Sequence, residues 1–110
     1  MAHENNDIQT HKELGVSYRA KRMHQLAIRE YEAVWEKDAS DKMLILDLLQ
    51  LYNFEGEYAK ARQRIIPLLE DPAWQEPYLK NRLINELEIA GKKTLLQSRP
   101  RILLVTLTNR

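Results

Sequence analysis

Apolar side chains recur at helical spacing along most of this chain, with polar residues filling the opposite faces. Ile8, His11, Leu14, Gly15 and Tyr18 mark a first helix, capped by Asp7 and running to about Ala20. Leu26, Ala27, Ile28, Tyr31, Val34 and Trp35 mark a second, from about His24 to Lys37. Lys21 and Arg22 lie between them, near the negative end of the first helix dipole. So short a connection permits only an antiparallel turn, which makes the pair a helical hairpin. Asp38 to Asp41 is the next break, with Ser40 or Asp41 placed to cap a third helix. Met43 to Tyr52 is apolar almost all round, as expected of a helix buried between neighbours. At Phe54-Glu-Gly56-Glu the chain turns, and Gly56 is free to take the left-handed conformation.

The second half repeats the scheme and then loses it. Glu57 to Glu70 forms a fourth helix with Tyr58, Ala61, Ile65, Leu68 and Leu69 inward. Pro67 removes a backbone hydrogen bond and crowds the carbonyl of Gln63, which predicts a kink or an early end. Asp71-Pro72 closes the segment. A fifth helix spans Tyr78 to Ala90 with Pro77 in its first turn, and Leu79, Leu83, Leu87 and Ala90 lie at helical spacing. After Gly91 the repeat match fails, which leaves two full hairpins and a fifth helix, with a short sixth around Thr94–Gln97 as an option. Residues 1–6 are polar and read as a flexible N-terminus.

The first two hairpins are copies of each other. Leu14, Tyr18, Ala27, Tyr31, Val34 and Ala39 recur as Leu48, Tyr52, Ala61, Ile65, Leu68 and Ala73, each shifted by 34 residues. A third copy keeps Leu83, Leu87 and Gly91 at a shift of 35 from Leu48, Tyr52 and Gly56. A fixed period in this range is the signature of a stacked repeat protein. With its Leu14-Gly15, Tyr18, Ala27 and Tyr31, the pattern resembles the tetratricopeptide repeat over roughly residues 7–91. Departures are His11 and Ile45 where that family has tryptophan, Ala39 and Ala73 where it has proline, and Leu49 where it has a small residue.

The resemblance implies an all-α fold of stacked antiparallel hairpins, about five helices in a right-handed superhelix. Its domain covers residues 7–98, with repeats at about 8–41 and 42–75 and a partial one at 76–98. It also implies a concave groove, lined by the first helix of each hairpin, that holds a peptide, a helix or a neighbouring domain. Transferring the groove positions gives Lys12, Val16 and Arg19, then Asp47, Gln50, Asn53 and Phe54, then Tyr78, Asn81, Arg82 and Asn85. Gln9, Ala20, Met43, Leu46 and Glu88 belong to the same set. One subclass clamps the C-terminal carboxylate of chaperones with basic and amide side chains. Lys12 and Arg82 match that clamp, whereas Val16, Asp47 and Tyr78 do not, and Asp47 would repel a carboxylate.

Residues 99–110 read differently. Ile102 to Thr108 is a short apolar, partly β-branched run, strand-like and bounded by Pro100 and Asn109. Its ending, Leu103-Leu-Val-Thr-Leu-Thr-Asn-Arg110, resembles the first barrel strand of radical S-adenosylmethionine enzymes, and glycosyltransferase first strands look similar. That second resemblance implies the alternative that the chain is the recruiting domain at the front of a larger enzyme.

Composition narrows the functional classes. A formal charge of +1 lacks the basic footprint of a dedicated nucleic-acid binder. Charge is uneven, with 7 basic and 11 acidic side chains up to residue 58 and 10 and 5 after it. No cysteine is present, so thiol and disulfide chemistry are excluded. The N-terminus lacks the apolar core of a signal peptide, and the chain reads as cytoplasmic. His3, His11 and His24 share no metal-ligand spacing, and His11 reads as a packed ring. Acid pairs such as Glu30/Glu32, Glu55/Glu57 and Glu86/Glu88 sit two apart, which aims them to different sides of a helix. No nucleophile–base pair or phosphate-binding glycine loop stands out. The expectation is a non-catalytic protein-binding module without metal or cofactor, with self-association as a third option.

Overall fold

In the computed structural model, the backbone is described for residues 2–98 and side chains for residues 7–95. The fold is all-α, with five helices and no strand among the described residues: α1 (Ala2–Ala20), α2 (His24–Lys37), α3 (Lys42–Phe54), α4 (Tyr58–Leu69) and α5 (Pro77–Ser98). A 3₁₀ turn at Pro72–Trp74 lies between α4 and α5. None of the described helices is long and apolar enough to cross a membrane. The strand-like tail lies outside the described residues. The chain divides after Gly56 into two compact units.

In the first unit, α1 pairs with α2, and α2 packs on α3. α1 begins at Ala2, five residues before the expected cap. Neither proline nor glycine interrupts the chain before Gly15, so nothing stops the helix from growing backwards. Asp7 is therefore inside the helix, and its carboxylate lies 3.6 Å from Lys37 Nζ instead of capping. α1 ends as a Schellman motif: the amide of Met23 donates to the carbonyl of Tyr18 at 2.8 Å, and that of Arg22 to Arg19 at 3.0 Å. This geometry needs a left-handed residue, and Arg22 supplies it with φ 63°.

The close approach of α1 and α2 depends on a missing side chain. A Cβ built on buried Gly15 would lie 2.6 Å from Cδ1 of Tyr31, too near for the ring to stay. Ala27, Ile28, Tyr31 and Val34 form the buried face of α2. Leu14 departs from the repeat: it is 38% exposed, whereas its counterpart Leu48 is fully buried. α1 is covered by α2 on one side, and Leu14 falls beyond that cover. Asp41 caps α3 by accepting from the amide of Leu44 at 3.1 Å. Leu44, Ile45, Leu46, Leu48, Leu49, Leu51 and Tyr52 are all buried, so α3 is clothed nearly all round. The Tyr52 hydroxyl donates to Glu32 Oε2 at 2.6 Å, tying α3 to α2.

In the second unit, α4 packs on α5. Ala61, Ile65 and Leu68 are buried, at the register positions of Ala27, Tyr31 and Val34. α4 ends at Leu69, two residues past Pro67, and tightens into 3₁₀ bonding as the Glu70 amide donates to Pro67 O at 3.2 Å. Asp71 then accepts from the amide of Ala73 at 2.9 Å, and Trp74 is buried in the connection.

No turn forms at Gly91, the counterpart of Gly56, and residues 94–97 do not make a separate sixth helix. α5 continues through Gly91 to Ser98 as one rod of 22 residues. Lys92, Lys93, Leu95, Leu96 and Gln97 are good helix formers, and no proline arrives until Pro100, so one glycine does not break the run. Leu83 and Ala90 are fully buried on this rod, and Glu86 is 4% exposed between them.

Candidate functional site

Past its first residue, Lys42, four side chains of α3 escape its burial: Met43, Asp47, Gln50 and Phe54. Their spacing of four, three and four places them on one stripe of the helix. The groove positions expected from the sequence at 43, 47, 50 and 54 therefore do lie on the surface. Two others do not: Asn53 is 7% exposed and Leu46 fully buried, so neither belongs to an open groove. Each sits beside the stripe on a helix whose remaining circumference is packed, which leaves room for one row of contacts and not two.

Opposite this stripe runs one on α1. Lys12, Val16 and Arg19 follow helical spacing, and Val16 is 60% exposed. Ion pairs tie α1 to α3 and its cap: Lys12 Nζ lies 3.2 Å from Oδ2 of the capping Asp41, and Arg19 Nη1 lies 3.5 Å from Asp47 Oδ2. Both pairs are partly exposed and contribute up to about 1 kcal/mol each, so they orient more than they stabilise. Asp47, expected as a groove contact, thus spends its carboxylate on Arg19.

An open cleft of about 550 Å³ lies between the rows. Its walls are Val16, Arg19 and Ala20 from α1 and Gln50, Leu51 and Phe54 from α3. Two further residues close one end, Arg22 from the Schellman turn and His24 from the start of α2. The Phe54 side chain is well exposed, yet its ring is held edge-on against His24, with centroids 4.7 Å apart and planes at 86°. Glu55 fixes that imidazole in turn, with His24 Nδ1 3.1 Å from Oε2. Gln25 Nε2 donates to the other carboxylate oxygen at 2.9 Å, and these two bonds hold Glu55 below the usual carboxylate range.

Arg22, His24 and Leu51 are not among the groove positions that the sequence points to. Arg22 lies in the turn between helices and His24 at the start of α2, both outside the first helix of the hairpin from which groove positions are drawn. The mark of Arg22 is its repeat partner: a shift of 34 places it on Gly56.

Gln9 lies on α1, exposed, with its side-chain amide donating to Glu13 at 3.2 Å, and the remaining expected positions lie in the second unit. Tyr78, Asn81, Arg82 and Asn85 form an i, i+3, i+4, i+7 stripe along α5, with Tyr78 half exposed. Arg82 Nη1 donates to the Tyr78 hydroxyl at 2.9 Å, and its guanidinium carbon lies 5.8 Å from that ring's centroid.

The acidic pairs separate as their spacing requires. Glu30 reaches His11, with Nδ1 to Oε1 at 2.6 Å, while Glu32 takes the Tyr52 hydroxyl. Glu55 holds His24 and Gln25, and Glu57 lies 3.5 Å from Lys60. His11 is a half-buried ring bonded between helices. Among the described residues, no group of three or more His, Cys, Asp or Glu side chains is placed to hold a metal ion. No family model matches the chain, and no curated protein or solved structure matches it.

Proposed function

We propose that this chain is a protein-interaction module of the tetratricopeptide-repeat kind, docking a segment of a cytoplasmic partner in the cleft of its first unit and performing no catalysis. The observation that carries the reading is the pair of facing stripes, Val16 and Arg19 on α1 with Gln50 and Phe54 on α3. They place exposed apolar surface and hydrogen-bonding groups on opposite walls of one cleft. Exposed apolar side chains are ordinary one at a time, but an aromatic ring pinned in place by a neighbour binds with little loss of conformational entropy. Phe54 has that form, with His24 and Glu55 behind it. Aromatic side chains of this kind dominate the energetics of protein docking sites.

The duplicated register supports the same reading from the scaffold side. Positions 27, 31 and 34 and their counterparts 61, 65 and 68 are buried in their respective units, so the repeated residues build structure. Cleft residues do not repeat: Val16 stands against Gln50 and Arg19 against Asn53 at the 34-residue shift. Specificity resides in the positions that the repeat leaves free to vary.

The test is a peptide-display selection on the whole chain, repeated with Phe54→Ala and Val16→Glu. Both residues are exposed, so folding is retained and each variant loses the selected peptides by about tenfold or more. Selected peptides that bind both variants as tightly as the original chain would place docking elsewhere.

A further inference from the structure

The 34-residue shift that relates the hairpins carries Arg22 onto Gly56, and the backbone honours it: φ is 63° at Arg22 and 81° at Gly56. Both close a helix in the same way, with the amide of Arg22 donating to Arg19 and that of Gly56 to Asn53. Glycine occupies such a position without strain, and a residue with a Cβ does not. The first repeat therefore holds an arginine where the scaffold is better served by glycine. Residues kept in such a conformation tend to serve a site. Arg22 lines the cleft.

Charge gives that position its meaning. Residues 1–56 hold seven basic and ten acidic side chains, yet the cleft walls include two arginines, one histidine and no carboxylate. Arg19 is met by Asp47 and His24 by Glu55. Arg22 has no ion-pair partner among the described residues. Resting on the docking role of this cleft, we infer that it selects protein segments in which an Asp or Glu side chain lies close to a bulky apolar one. Arg22 reads the carboxylate, and Val16, Leu51 and Phe54 receive the apolar group. A guanidinium offers a carboxylate two parallel N–H donors, which fixes the geometry of the pair. A basic segment is rejected by the same group.

The experiment is selection of random dodecapeptides on the full chain and on two variants, scored for the residues found near the apolar anchor. The original chain enriches Asp and Glu there. Arg22→Glu reverses the preference toward Lys and Arg. Arg22→Gly keeps the left-handed turn, abolishes the acidic preference and weakens a selected peptide by about two- to fivefold while the apolar preference persists. Melting at or above the original midpoint certifies that the glycine variant is folded. Peptides enriched for apolar residues alone, or acidic peptides bound unchanged by both variants, would overturn the role of Arg22 and leave the docking cleft standing. Failure to select any peptide would remove both.

Discussion

Arg22 and Gly56, 34 residues apart, share a left-handed backbone, one with a long side chain and one with none. The pair measures what the first turn gives up in stability. Replacing Arg22 with glycine relieves the steric conflict of its Cβ, worth about 1–2 kcal/mol, while loosening the unfolded chain by about 0.4–1 kcal/mol. The variant is expected to gain about 0.5–1 kcal/mol in denaturant unfolding. Gly56→Ala, the reverse change at the equivalent site, is expected to lose about 1 kcal/mol although open space surrounds it.

Gly15 and Tyr31 predict a coupling. Gly15→Ala pushes a methyl group into a ring that is 1% exposed, and overpacking of this kind costs about 1–3 kcal/mol. Better helix propensity returns about 1 kcal/mol, leaving a net loss of about 1–2 kcal/mol. Combined with Tyr31→Leu, the same substitution should lose most of its effect, a coupling of about 1 kcal/mol or more in a double-mutant cycle. At the 34-residue shift these two positions hold Leu49 and Ile65.

Gly91 gives the opposite result. It lies inside α5 with nothing within 4 Å of a built Cβ, so Gly91→Ala should stabilise by about 0.5–1 kcal/mol. A loss of stability at this position would indicate the turn that the repeat pattern suggests.

Two ionisations contribute at opposite ends of the pH range. Glu55 is held below its ordinary 4.5 by bonds from Gln25 and His24, so its contribution is complete above that pH and is lost as pH falls through the depressed value. Tyr31 is raised above 10.0 by burial and then by the Asp47 carboxylate, so its contribution is complete below pH 10 and is lost as pH rises through the raised value. Urea titrations across pH should show Glu55→Gln flattening the acid limb and Tyr31→Phe flattening the alkaline limb. Each substitution should leave the other limb in place.

The helices are legible in the sequence because their signals are local. Apolar spacing, the Asp41 cap and Gly56 each act within a turn or two, and α2 begins and ends at the residues that spacing gives. α1 and α5 run longer than spacing predicts because the absence of a breaker is a weaker signal than its presence. The cleft is half legible. Register places Val16, Arg19, Gln50 and Phe54 on the surface, but whether Asn53 faces outward depends on how completely α3 is clothed, which periodicity does not encode. The pairings of His11 with Glu30 and His24 with Glu55 link residues 19 and 31 apart, and only packing brings them together. Arg22 is hidden for another reason: a repeat advertises the residues it keeps, and this one differs from its counterpart Gly56.

The most direct measurement is an amide chemical-shift titration of the labelled chain with a display-selected peptide. Docking in the cleft predicts that the largest shifts fall on residues 16–24 and 50–55, in a saturating isotherm that Phe54→Ala weakens about tenfold. Shifts confined to α4 or to the outer face of α2, with residues 16–24 and 50–55 unmoved, would contradict it.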